Sequence, residues 1–367
     1  MEGFSVVELV DNLILDAINK KSSDIHLEST ENNLRVRFRL DGMLHDQNPI
    51  EKSLMEQFLS RIKVLSHIDT SKKRVPQDGK IKFNHNGRFI DLRISTFPTI
   101  YGEKCVIRIL DNDAKVVNLE QLGFDAPILK KFRSLLHKPT GFILVTGPTG
   151  SGKTTTLYAA LSYLNSKEKN IITLEDPVEY CIEGVSQGQI NNESGFTFQK
   201  GIRSLLRQDP DIAMIGEIRD KESAKIAIEA SLTGHLVFST LHTNDAPSAV
   251  MRLMDMGIEP YLINASLSGV LAQRLVRKLC ECKQSDQNYF VATGCEVCNH
   301  TGYKGRLGIF ELLELTNNLK SLVKENPCFD AIQKQSIQDG MILLKQDGMK
   351  KVDSGIISLE ELLRVIN

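Results

Sequence analysis

Nine consecutive residues, Gly147, Pro148, Thr149, Gly150, Ser151, Gly152, Lys153, Thr154 and Thr155, carry the strongest chemical signal in the chain. Glycines at this spacing let backbone N–H groups converge on phosphate oxygens. Lys153 adds a point charge for the β and γ phosphates, and the Thr154 hydroxyl suits Mg²⁺. The stretch therefore predicts a site for ATP with Mg²⁺. Such a site needs a carboxylate on a neighbouring strand, and the run Ile212-Ala-Met-Ile-Gly-Glu217 ends in one. Gly216 stands where many P-loop proteins place a metal-binding Asp, so Glu217 is the candidate general base, its contact with Mg²⁺ passing through water. Glu175, Asp176 and Glu179 follow another apolar run; they suit a metal or water role, or are turn-forming acids around Pro177. His235 and His242 bracket a third run, and His242 is placed to sense a γ-phosphate or to act as a structural hydrogen-bonder. Arg203, Arg207 and Arg219 flank the Glu217 run and suit transition-state charge, a neighbouring molecule, or plain solvated charge. A separate cluster, Cys280, Cys282, Cys295 and Cys298, can supply four thiolates to a structural Zn²⁺ with no position left open for chemistry.

These residues need elements to hold them. The apolar runs Phe142 to Val145, Ile171 to Leu174, Ile212 to Ile215 and Leu236 to Thr240 are short and continuous, as parallel strands buried on both faces are. The first leads straight into the glycine loop, and Leu157, Ala160, Leu161 and Leu164 behind it keep helical spacing. Strand, loop and helix predict an α/β core of the P-loop type over 141–279. Before it, Val6 to Ile18 reads as an amphipathic helix, Leu34 to Leu40 as a half-buried strand with Arg35, Arg37 and Arg39 outward, Ile50 to Ile68 as a helix, and Lys80 to Phe83, Arg88 to Thr96 and Lys104 to Leu110 as strands. That predicts a small α+β domain over 1–112, a linker with one helix over 113–140, a cysteine subdomain over 280–306 and a helical subdomain over 307–367.

Bulk properties fit a multidomain protein: 367 residues, 41% hydrophobic and 25% charged. With 45 Lys plus Arg against 46 Asp plus Glu, overall charge argues against a nucleic-acid partner. No apolar run reaches the roughly 18 residues of a membrane span, and the acidic start Met1-Glu-Gly-Phe lacks a signal peptide's basic region, so a cytoplasmic location is expected. Seven cysteines, four of them clustered, point to metal rather than disulfides.

Taken together, these segments resemble the GspE/PilB family of type II secretion and type IV pilus assembly ATPases. The resemblance spans nearly the whole chain. It rests on Ser23-Asp-Ile-His-Leu-Glu28, Val36-Arg-Phe-Arg-Leu-Asp-Gly42, Pro76-Gln-Asp-Gly79, Gly102-Glu-Lys104, the glycine loop, Thr173-Leu-Glu-Asp-Pro-Val-Glu179, Arg207-Gln-Asp-Pro-Asp211, Gly216-Glu-Ile-Arg-Asp220, Thr233-Gly-His235, Leu241-His-Thr-Asn-Asp245, Gln273-Arg-Leu-Val276 and Gly302-Tyr-Lys-Gly-Arg306. It implies a RecA-like motor domain behind a PAS-like domain, a homohexamer, and ATP bound between the two domains. Arg93 and Arg108 then match family arginines that reach the phosphates on closure, and Glu175, His235 and His242 fall in family boxes. Implied partners are an inner-membrane platform protein, which keeps the ring peripherally at that membrane, and a cytoplasmic membrane-anchored docking protein. Two departures stand out. The small domain begins almost at Met1, without the additional N-terminal docking domain that members often carry, and the first cysteine pair is Cys-x-Cys where many members have Cys-x-x-Cys. Other readings are a retraction ATPase of the same superfamily, whose members lack the cysteine cluster, a RecA-like nucleic-acid motor suggested by Arg35, Arg37 and Arg39, and a nucleotide-binding scaffold without turnover.

Overall fold

A computed structural model of the chain describes residues 5–110, 117–286, 288–325 and 327–366; the expected start near Met1 and the boundary at 112–113 lie outside them. The chain divides into two compact units, Met1–Ala114 and Lys115–Asn367.

The N-terminal unit contains α1 (Val6–Asn19), β1 (Asp24–Ser29), β2 (Asn33–Leu40), β3 (Met43–Asp46), β4 (Ile50–Glu51), α2 (Lys52–Leu65), β5 (Gln77–His85), β6 (Arg88–Thr99) and β7 (Gly102–Leu110). The strands form one antiparallel sheet in the order β3-β2-β1-β7-β6-β5, with β4 beside β2. Period-two alternation sends Ile25, Leu27, Leu34, Val36 and Phe38 inward against Val10 and Ile14 of α1 and Phe58 and Ile62 of α2. The arginines of β2 point the other way but do not form a free basic face. Arg35 pairs with Asp46 at 2.6 Å, Arg37 with Glu28 at 2.7 Å and Arg39 with Asp24 at 3.5 Å. The register explains this, because β1 places an acid opposite each end of the arginine row. The feature that suggested a nucleic-acid motor is thus an ion-paired ladder.

The C-terminal unit has α3 (Ala126–Leu136), β8 (Gly141–Thr146), α4 (Lys153–Leu164), β9 (Ile171–Glu175), β10 (Ser186–Gln189), α5 (Phe198–Leu205), β11 (Ile212–Ile215), α6 (Lys221–Leu232), β12 (Leu236–Leu241), α7 (Ala246–Asp255), α8 (Pro260–Ser266), β13 (Leu267–Leu279), β14 (Gln284–Asp286), β15 (Tyr289–Val291), β16 (Tyr303–Glu314), α9 (Asn317–Lys324), α10 (Phe329–Gln338), α11 (Leu344–Asp353) and α12 (Leu359–Ile366). Its main sheet runs β10-β9-β11-β12-β8-β13-β16, parallel except for β16. Alternate residues of β8 serve opposite cores: Phe142 and Leu144 meet one helical layer, Ile143 and Val145 the other. Helices on both faces make this the α/β architecture the continuous apolar runs predict.

Two expectations are corrected. Residues 307–367 are not a separate helical subdomain, because β16 closes the main sheet against β13 and Leu319, Val323, Ile332, Val352 and Leu362 of the following helices join its core. Likewise α3, read as part of a linker, buries Phe132, Leu135 and Leu136 against the sheet. The β14–β15 hairpin and the four cysteines form the connection between β13 and β16.

Candidate active site

Because β8, β9, β11 and β12 are parallel, their C-terminal ends share one edge, where open α/β sheets bind ligands. Buried β8 delivers the glycine loop there. At Gly147 φ is 150° and a Cβ would stand 2.5 Å from the Gln273 carbonyl oxygen, so only glycine fits. Gly152 (φ 86°) caps α4, so the helix N-terminus and its N–H groups open on the loop. Pro148, Thr149, Gly150 and Thr154 are exposed, Thr155 is partly so, and Ser151 is buried. Lys153 Nζ donates to the carbonyls of Gly147 at 2.9 Å and Pro148 at 3.1 Å, inside the loop's curve. Burial holds its pKa below the usual lysine value, Glu217 works against that, and Arg274 adds to it.

Glu217 follows β11 at the same edge. Arg219 Nε donates to its Oε1 at 2.6 Å, and His242 Nε2 lies 3.5 Å from Oε2. Arg219 also approaches Asp176 at 3.8 Å. Glu217, His242, Arg219 and Asp176 thus form one half-exposed cluster on the loop's sheet edge. A carboxylate held by a cation and an imidazole, its side chain 25% exposed, can accept a proton from water.

Glu175 is placed differently. The residue is 3% exposed, and its carboxylate accepts from Tyr158 Oη, from Thr173 Oγ1 at 2.5 Å and from Gln187 Nε2 at 3.2 Å. Its oxygens are committed to α4, β9 and β10, and the acid that ends β9 is turned inward rather than toward the loop. His235 lies away from the loop's sheet edge. It precedes β12 while His242 follows it, and that strand spans six residues, about 20 Å. His235 Nδ1 instead meets the Ala230 carbonyl at 2.8 Å, at the C-terminal end of α6. Arg203 pairs with Glu222 at 2.6 Å and Arg207 reaches the Arg203 carbonyl at 2.9 Å, so neither joins the Glu217 cluster. In the N-terminal unit Arg93 and Arg108 are register partners on β6 and β7, and Arg108 Nε lies 3.1 Å from Asp24.

The cysteines do converge. All four sulfurs lie within 4.8 Å of one another, with Cys280–Cys295 and Cys282–Cys298 at 3.9 Å and Cys295–Cys298 at 3.7 Å. A Zn–S bond of about 2.3 Å in a tetrahedron implies sulfur edges of about 3.8 Å, so the donor set fits zinc despite the short Cys-x-Cys pair. Burial raises the Cys298 thiol pKa, but N–H groups of Cys295 and Gly302 outweigh that and bring it to about 6. Such donors are the outer-shell support thiolate ligands use.

The sequence profile described as Type II/IV secretion system protein matches residues 2–364. The chain belongs to this family. It is 48% identical to the Type II secretion system ATPase E of Vibrio cholerae serotype O1, over 98% of this chain and 75% of that one. It is 45% identical to the Type IV pilus assembly ATPase PilB of Myxococcus xanthus, over 98% of this chain and 67% of that one. Among solved structures, the pilus retraction motor PilT with bound ADP matches at a TM-score of 0.67 and 27% identity, over 97% of this chain and 96% of that one. The expected family and α/β motor fold therefore hold, and the family is one of ATPases. Among the described residues no helix is long and apolar enough to cross a membrane.

Several residues at this family site carry no strong signal of their own. Thr146 Oγ1 bonds Thr243 Oγ1 at 2.8 Å and accepts from Thr243 N at 2.9 Å, tying the loop's entry to the segment after His242. Arg274 Nη2 reaches Asn244 Oδ1 at 3.2 Å, bringing a second cation beside Lys153. Gln273 Nε2 donates to the Ser151 carbonyl at 2.7 Å. The motif Gln273-Arg-Leu-Val276 was visible in the sequence, but its strand was not.

Proposed function

We propose that the chain is a cytoplasmic, Mg²⁺-dependent ATPase that drives assembly of a pseudopilus or pilus through an inner-membrane platform protein. The observation that carries this reading is the shared sheet edge where the Gly147–Thr155 loop and Lys153 meet the Glu217–His242–Arg219 cluster. The loop's N–H groups and Lys153 bind the phosphates. Glu217 takes the proton of the attacking water, and Arg219 and His242 keep its carboxylate oriented. Mg²⁺ would be held by Thr154 and, through water, by Glu217, neutralising phosphate charge. Zinc would join the four cysteines as a structural staple. Arg203, Arg207 and His235 suit contacts with a neighbouring copy in a homohexamer. A membrane-anchored docking protein completes the partner set, and the N-terminal unit is read as PAS-like.

The assembly reading is favoured over retraction by identities of 48% and 45% to the secretion and pilus assembly relatives against 27% to the retraction motor. The test is phosphate release by purified chain with and without Glu217→Gln. Turnover should fall by roughly 100-fold or more, with ADP affinity within threefold of wild type. A loss smaller than about tenfold would remove Glu217 from the role of base. Stimulation by DNA, and none by a platform protein's cytoplasmic domain, would overturn the filament reading.

A further inference from the structure

Strand β13 lies directly against the phosphate loop, and Gln273 touches the loop twice. The register pairs Ala272 with Thr146, the last residue of β8, so the next residue of β13 falls beneath the loop. The main-chain carbonyl of Gln273 occupies the space a side chain on Gly147 would need. Its side chain is 1% exposed, and Nε2 donates to the Ser151 carbonyl at 2.7 Å. A Cβ on Gly152 would stand 3.3 Å from the same Nε2.

We propose that Gln273 is a positioning residue for nucleotide binding, aiming the N–H of Gly152 by holding the Ser151 carbonyl. The Ser151–Gly152 peptide is trans, so its C=O and N–H point to opposite sides of one rigid plane. Fixing the carbonyl against β13 turns the Gly152 N–H away from β13, onto the side where Lys153 and the start of α4 face the phosphates. Without that bond the plane rotates about soft dihedrals, made softer because Gly152 has no side chain. The buried Ser151 Oγ and Gln273 Oε1 have no hydrogen-bond partner among the described residues, which leaves the single Nε2 bond as the side-chain tie between strand and loop. A misaimed N–H weakens an interaction made equally by ADP and ATP, so it affects binding and leaves the chemical step in place.

The inference rests on nucleotide binding at Gly147–Thr155, and wild-type ADP binding tests that reading by itself. Gln273→Met keeps the side chain's length and removes the donor. Its ADP dissociation constant and its KM for ATP should rise together by at least about fivefold, while kcat at saturating Mg-ATP stays within about threefold. Circular dichroism and the melting temperature verify that the variant is folded. If it is not, Gln273→Asn, whose amide falls one methylene short of Ser151, takes its place with the same expected split. An ADP dissociation constant raised by less than about fivefold in a folded variant, or a kcat loss with unchanged affinity, overturns the proposal.

Discussion

Glu361, on α12, is the anchor between the last helix and the closing strands, and its removal has a calculable cost. Its side chain is fully buried and accepts from Arg277 N at 2.9 Å, Nε at 3.0 Å and Nη2 at 2.7 Å, and from Arg364 Nε at 2.7 Å and Nη2 at 2.6 Å. Burial alone would raise its carboxyl pKa, but Arg364 and Arg277 outweigh that and hold it below the usual range. Glu361→Gln keeps the shape, removes the charge and turns an amide donor toward a guanidinium. Breaking a buried pair costs about 3–5 kcal/mol. The low end applies, because Arg364 is 40% exposed and can turn to water while Arg277 keeps its stacking on Tyr303 at 3.9 Å. For a unit of about 250 residues, about 3 kcal/mol corresponds to a melting shift of roughly 6–12 °C. Calorimetry of the whole chain reads this in the transition of larger enthalpy, since enthalpy scales with residue number. The pH dependence has a fixed sign. A depressed folded-state pKa gives stability that is present above the unfolded value, near 4.5, and is lost as pH falls through the lower folded value. The gap between wild type and variant should therefore narrow below about pH 4.5. A gap under about 2 °C at pH 7, or one that persists unchanged into acid, refutes the argument.

Two other outcomes are expected beyond the Glu217 and Gln273 variants. Purified chain should carry about one zinc, and Cys295→Ser with Cys298→Ser should lose it; equal sub-stoichiometric zinc in both would remove the metal. Tyr158→Phe deletes the Tyr158 hydroxyl donor to buried Glu175 and should destabilise the C-terminal unit by about 1.5–3 kcal/mol, and an unchanged denaturant midpoint would show that Thr173 and Gln187 suffice.

The strands that carry the phosphate loop and Glu217 were legible because a parallel strand between helical layers is apolar throughout and bounded by turns. β13 and β16 were not. Leu267–Leu279 has four Leu and two Arg, residues that serve helices equally well, and its first seven residues, all buried, show no period that separates strand from helix. Tyr303–Glu314 ends in Phe-Glu-Leu-Leu-Glu, which also reads as helix, yet β13 holds it as a strand. Missing β13 hid Gln273 and Arg274 from the site. His235 and His242, which bracket one apolar run, stand at opposite ends of β12, as that spacing requires.

The position of β8 between β12 and β13 also shapes how the chain must be made. Of its two neighbours, β12 begins less than a hundred residues after β8, but Leu267–Leu279 begins well over a hundred residues after it. While the chain emerges, the strand that feeds the glycine loop is an open, apolar sheet edge until that late segment arrives. Any truncation ending before Leu267 leaves this edge uncovered, and such fragments should aggregate rather than yield a minimal nucleotide-binding module.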